Sequence, residues 1–222
     1  MKTDSLEANT FRKKFLRLRL ILKLLRLGRN PESTDLVFDI ADGLYELGAF
    51  AEVENRLSLQ PANDEVVKNR TLVGPIDFKK LESLPEGTLG RHYFQHMKGL
   101  GLDPDFYRVR EIDNDSTFVL MRLRQTHDLW HLATGFKTDV PGELGLQAFM
   151  LSYLRLPLPG ILIGGSLLRI TLAQPKMLDP VVREISRGLM LGNQVGPLFA
   201  FDWQGNWNRP LADIRRELGL LP

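Results

Sequence analysis

Cysteine is absent from the 222-residue chain. That excludes disulfides, thiolate nucleophiles and every cysteine-based zinc or redox centre, so a metal would have to be held by His, Asp and Glu. The absence fits a reducing compartment without proving one. Alternating apolar and polar runs of the strand type are scarce, and neither internal repeats nor low-complexity tracts occur outside the amino-terminal arm, which leaves an all-α fold as the expectation. A transmembrane helix is also missing: the uncharged stretch from Leu156 to Leu168 falls short of the roughly 20 residues that a span needs.

Hydrophobic residues make up 43% of the chain and charged residues 25%, the balance of a globular protein. The length suits one domain with an appended segment, here residues 1–31 and 32–222. The net charge of +2 conceals an asymmetry: nine Lys and Arg face only Asp4 and Glu7 before residue 32, against 20 basic and 25 acidic residues after it. A weakly acidic body argues against a nucleic-acid partner, which would need its positive patch on the folded surface.

Within the arm, Phe11, Phe15, Leu18, Leu22 and Leu25 recur at helical spacing, flanked by Arg12, Arg19, Lys23 and Arg26. This is the pattern of a basic amphipathic helix docked on an anionic membrane surface. A terminal helix packed on the body with solvated basic side chains is the competing reading. A secretory signal does not fit, because charge interrupts the apolar run.

Further along, Ser33 or Thr34 caps a helix with Leu36, Ile40, Leu44 and Leu47 on one face. Other helices are expected at 63–68, 89–98, 116–133, from Pro141 onward, at 179–192 and at 209–218, with the polar aromatic turn "FDWQGNWN" before the last. Trp203 and Trp207 in that turn are either an exposed contact surface or plain core.

His127 and His131 lie one helical turn apart on the same face, so one ion can take both. Asp128 adjoins that face, as a direct ligand or an orienting group. Glu143 falls in the first turn of the next helix, and the break containing Gly135, Pro141 and Gly142 lets that helix fold back toward the pair. Such a set suits zinc, iron, cobalt or manganese and does not choose among them. The zinc-protease pattern is not met, since Asp rather than Glu follows the first His and no third His occurs downstream.

Arg124, one turn before His127, could clamp a carboxylate bidentately or pair with a nearby acid. His92 and His96 form a second pair with no acid beside them, and read as solvated or structural. Phe149, Met150, Tyr153 and Leu154, with Gly164 and Gly165, could line a groove for an apolar chain; the plainer reading is core packing.

The spacing His127-Asp128, His131, Glu143 resembles the signature of the coenzyme Q biosynthesis protein 4 family. "LPEGTLGRHY" (Leu84 to Tyr93) and the tail "LADIRRELGLL" are similar to two further family elements, and the likeness covers residues 33 to 220. It implies an all-helical fold and a zinc-type site on His127, Asp128, His131 and Glu143. It also implies a role in ubiquinone assembly at a membrane, through decarboxylation of a polyprenylated hydroxybenzoate, with hydroxylation of the same ring carbon in the oxidative version. The alternative is a non-enzymatic scaffold that presents prenyl lipids to other enzymes. Expected partners are a polyprenylated aromatic or isoprenoid lipid, the membrane surface, other quinone-biosynthesis proteins and further copies of the chain as a homo-oligomer. Without a clear transit peptide, the chain resembles a prokaryotic relative, cytoplasmic and peripheral on the inner face of a membrane.

Overall fold

The computed structural model describes residues 2–29, 33–103 and 109–220. Among them are α1 (Lys2–Arg29), α2 (Thr34–Glu46), α3 (Ala51–Ser58), α4 (Pro61–Asn69), α5 (Phe78–Glu82) and α6 (Leu89–Leu100). These are followed by α7 (Asp115–Thr134), α8 (Val140–Leu154), α9 (Pro157–Ala173), α10 (Leu178–Gln194) and α11 (Leu211–Glu217). No strand occurs in the described residues, so the fold is all-α as expected. The expected boundary at Pro31 lies outside them.

α1 carries two apolar stripes, and periodicity alone singles out the wrong one for packing. Leu20, Leu24 and Leu27 face the body and join its core, while the stripe from Phe11 to Leu25 points outward, with Phe11 74% exposed. Close approach to α2 depends on Gly43, where an added Cβ would lie 2.5 Å from Leu20 Cδ2. Lys23 closes the contact with an ion pair to Asp39 at 3.0 Å. The helix is therefore packed on the body along one edge and open along another.

Ser33 caps α2, and Gly48 ends the following turn with φ +77°, a left-handed conformation that suits glycine. The helix expected to carry Leu36, Ile40, Leu44 and Leu47 on one face thus ends there, and α3 starts afresh at Ala51. α7 forms the centre of the molecule: Phe118, Val119, Leu129 and Trp130 are enclosed on all sides. Its start is locked by a capping box between Asn114 and Thr117, which satisfies two otherwise orphaned amides.

α8 and α10 pack through small residues. A Cβ on Gly188 would collide with the Gly145 carbonyl, and one on Gly192 would sit 2.5 Å from the Phe149 carbonyl. Ser152 Oγ donates to Leu189 O at 2.9 Å across this contact. Phe149, Met150, Tyr153 and Leu154 are consequently buried in the core.

The two outlying motifs meet in space. Leu89 and Gly90 donate their amides to Arg209 O (2.8 Å) and Trp207 O (2.9 Å), and Tyr93 packs on Trp207 with ring centroids 5.5 Å apart. Trp203 and Trp207 are both buried, so the aromatic turn is core rather than an exposed contact surface. Arg215 of α11 then reaches the end of α7, donating to Leu132 O at 2.6 Å and to Ala133 O at 3.1 Å. A cation on the last carbonyls of a helix stabilises them.

Candidate metal centre

The corner between α7 and α8 is built from local signals. Gly135 ends α7 with φ 72°, Asp139 caps α8 by accepting from the Gly142 amide at 2.9 Å, and Pro141 fits the first turn. A side chain at Gly142 would strike the Lys137 carbonyl, and one at Gly145 would meet the Phe136 ring at 2.5 Å. The chain therefore doubles back tightly. Glu143 arrives opposite the histidines because of it.

One ligand atom from each of His127, His131 and Glu143 lies within 4.8 Å of the others. The imidazoles of His127 and His131 are edge to face with centroids 4.9 Å apart. His131 is almost wholly buried, and its Nδ1 lies 3.1 Å from Phe136 O. A carbonyl can only accept, so in the neutral ring Nδ1 carries the proton and Nε2 presents a lone pair. That lone pair faces Glu143 Oε1 at 3.2 Å, and Nε2 is buried with no hydrogen-bond partner. Two acceptors facing each other, one of them on a buried ring, call for a shared proton or a cation. The donor set thus fits a divalent metal on an observation independent of the spacing.

Asp128 stands to one side of this triplet. Its Oδ1 lies 3.9 Å from His127 Nδ1 and 3.8 Å from His96 Nε2, which places it between the histidines of two helices. Burial disfavours charge on Asp128, but His127 and His96 outweigh it and hold the carboxyl well below the usual range. Burial also works against the Glu143 carboxylate, yet His131 and the field of His127 keep it ionised to lower pH than an ordinary glutamate. For His127, burial opposes protonation, while Asp128 and Glu143 overcome it and raise its affinity for a proton.

His96 corrects the expectation that the second histidine pair has no acid. The acid comes from α7, and the His96 ring stacks on His131 with centroids 6.3 Å apart. Nothing within α6 signals this, since the contact depends on how α6 and α7 are set against each other.

Arg124 is engaged by α2. Its guanidinium pairs with Asp42 at 3.0 Å and lies over the Phe38 ring at 4.8 Å, binding α7 to α2. Asp42 also takes Arg110 at 3.1 Å. The second of the two roles considered for Arg124, an ion pair, is the one seen.

A groove of about 740 Å³ opens beside the centre. His127 and Glu143 line it together with Leu24 and Leu27 of α1, Val37 of α2 and Ile161 of α9. Gly164 and Gly165 lie on its wall, and the apolar lining comes from α1, α2 and α9 rather than from the Phe149 to Leu154 face of α8.

A family model described as "Coenzyme Q (ubiquinone) biosynthesis protein Coq4" matches residues 12–222. The mitochondrial ubiquinone biosynthesis protein coq-4 of Caenorhabditis elegans is 32% identical over 159 residues, 70% of this chain and 67% of that protein. The mitochondrial COQ4 homolog of Drosophila ananassae is 31% identical over 190 residues, 82% of this chain and 70% of its own length. In the Coprinopsis cinerea COQ4 protein the match takes in 58% of the relative; the chain spans about two thirds of the length of such relatives. Among solved structures, a candidate ubiquinone biosynthesis protein from Nostoc punctiforme superposes with a TM-score of 0.83 at 32% identity, over 91% of this chain and 97% of that one. Taken with the ligand spacing across α7 and α8, these matches show that the chain belongs to the coenzyme Q (ubiquinone) biosynthesis protein Coq4 family.

Proposed function

We propose that the protein acts in ubiquinone-type quinone biosynthesis as a metal-dependent decarboxylase of a polyprenylated hydroxybenzoate. The observation that carries this reading is the continuity of His127 and Glu143 with an apolar groove, which puts a polar reacting head and an apolar chain in one site. Its volume falls within the about 300–1,000 Å³ of small-molecule sites, so a long prenyl tail would leave by the α1 side.

His127, His131 and Glu143 would hold the ion, with Asp128 as a further ligand or orienting group; zinc is the expected metal, and iron, cobalt or manganese suit the same donors. When bound, such an ion polarises a ring carboxylate or phenolate oxygen as a Lewis acid. The chain's own contribution is to fix the His131 ring through Phe136 O, to keep Glu143 ionised, and to exclude water with the walls of α1, α2 and α9. In the simple step the C1–carboxyl bond breaks, carbon dioxide leaves, and a proton takes its place on C1. The oxidative version requires dioxygen or an equivalent oxidant and leaves a hydroxyl group on C1.

We also assign α1 to a membrane surface, on the inner face in a prokaryotic setting. Phe11, Phe15, Leu18 and Leu22 are exposed beside a row of basic residues, and Leu24 and Leu27 of the same helix line the groove. Among the described residues, no helix is long and apolar enough to cross a membrane. Exposed Leu168, Leu172, Val182 and Met190 offer apolar surface for a homo-oligomer or for another quinone-biosynthesis protein, which sedimentation would resolve.

The test is carbon dioxide release from a prenylated hydroxybenzoate by zinc-, iron-, cobalt- and manganese-loaded chain, alongside the quinone precursors that accumulate in cells lacking the protein. A carboxylated precursor and metal-dependent release support the reading. If neither appears and His131→Ala still sustains quinone synthesis, the decarboxylase is lost; a scaffold that binds the lipid without turnover then accounts for the groove.

A further inference from the structure

The groove holds one more charged side chain, Arg169. It is the only ionisable residue of α9, it is half-buried, and among the described residues its side chain makes no ion pair or hydrogen bond. Arginine cannot shed its charge to escape a poorly solvated setting, so a guanidinium among leucines and isoleucines favours an oxyanion there.

Its position relative to the metal centre follows from the packing. α8 and α9 are joined only by Arg155 and Leu156 and run back to back, and Leu144 shares one small core cluster with Ile170. Glu143 and Arg169 immediately precede those two residues. Both therefore lie at the same end of the helix pair, where both line the groove. Gln147, one turn after Glu143, lines it too, and its Oε1 is buried with no hydrogen-bond partner. The site thus presents two unmet demands at its polar end: a cation seeking an oxyanion and an acceptor seeking a hydroxyl.

We propose that Arg169 binds the carboxylate of the groove's ligand and that Gln147 Oε1 accepts from its phenolic hydroxyl. Arg169 thus takes the carboxylate-binding role, Arg124 being paired with Asp42. This assignment rests on the reading of the groove given above, but it concerns recognition rather than turnover.

Equilibrium binding to the full zinc-loaded chain tests it, with geranylated 4-hydroxybenzoate, the corresponding decarboxylated phenol and the methyl ester as probes. Wild type is expected to prefer the acid over phenol and ester by about tenfold or more, the range of a charge-assisted hydrogen bond. Arg169→Met abolishes that preference, Arg169→Lys keeps part of it, and both melt close to wild type because no partner is lost. Gln147→Leu weakens acid and phenol alike. Equal binding of acid and phenol by wild type, or an intact preference in Arg169→Met, overturns the assignment. So does displacement of the acid by phosphatidylglycerol vesicles in wild type but not in Arg169→Met, which would give the arginine to a lipid phosphate. Loss of preference in Arg169→Met without carbon dioxide release by wild type sinks the decarboxylase alone. Turnover with the preference intact sinks this inference alone, and failure of every tailed probe to bind sinks both.

Discussion

The α7–α8 corner and the groove wall beside it share a site but are specified in different ways. Each feature of the corner has a nearby cause: Gly135 ends one helix, Asp139 starts the next, and Gly142 and Gly145 permit the close return. The wall instead assembles from α1 and α2, far upstream in the sequence, together with the following helix α9, and none of the three carries a motif. A chemical centre can thus be written in about twenty consecutive residues, while the cavity that gives it a substrate depends on long-range packing.

The largest expected effect comes from cutting into the corner. His131→Ala should abolish stoichiometric metal binding, a loss of well over a hundredfold in affinity, because it removes the buried donor that Phe136 O orients. Elemental analysis of the purified variant checks this, and binding of an apolar-tailed probe should survive. Metal affinity of wild type should fall as pH drops: a proton competes for His127, and its raised proton affinity moves that competition to higher pH than for an ordinary histidine. Calorimetric titration across the pH range gives the sign.

The frame around both regions is next. Arg122 is buried and donates to Phe199 O (2.7 Å), Thr71 O (2.7 Å) and Phe201 O (3.1 Å); burial brings its guanidinium down to about 10, still charged at neutral pH. Arg122→Ala orphans three carbonyls and should cost about 3–5 kcal/mol in denaturant unfolding. Gly188→Ala forces α10 off α8 and should cost about 2–3 kcal/mol, with Glu143 displaced as a consequence.

Smaller effects separate wall from corner. Gly164 has open space where a Cβ would go, so Gly164→Leu should fold normally, project into the groove and weaken an apolar-tailed probe by about tenfold. Metal content should not change. His96→Ala should lower metal affinity by about tenfold at most, through loosened Asp128, and leave the probe's binding intact. If Gly164→Leu alters metal content, or His96→Ala the probe's binding, the two regions are not separable.

Legibility in the sequence follows the same division. Helix periods, caps and the turn at Pro141 place α6, α7, α8 and α10 within a few residues, and the ligand spacing brings His127, His131 and Glu143 into view. Short α3 and α5 escape, since a helix of a few residues leaves too little period to read. His96 escapes because its acid belongs to another helix, and Arg169 because a lone arginine in an apolar helix has no local signature. The stripe on α1 shows the limit most clearly: leucine occurs at so many positions that two faces qualify, and only contact with Gly43 decides which one packs.

The sequence by itself determined the all-α class, the absence of thiol chemistry and the donor set at the corner, because caps, periods and spacing act over one or two helical turns. Tertiary structure alone decided that Arg124 serves Asp42, that the Phe149 to Leu154 face is core, and that α1, α2 and α9 enclose the groove. Those outcomes depend on which apolar faces exclude water from one another, a competition among helices that no single segment can settle.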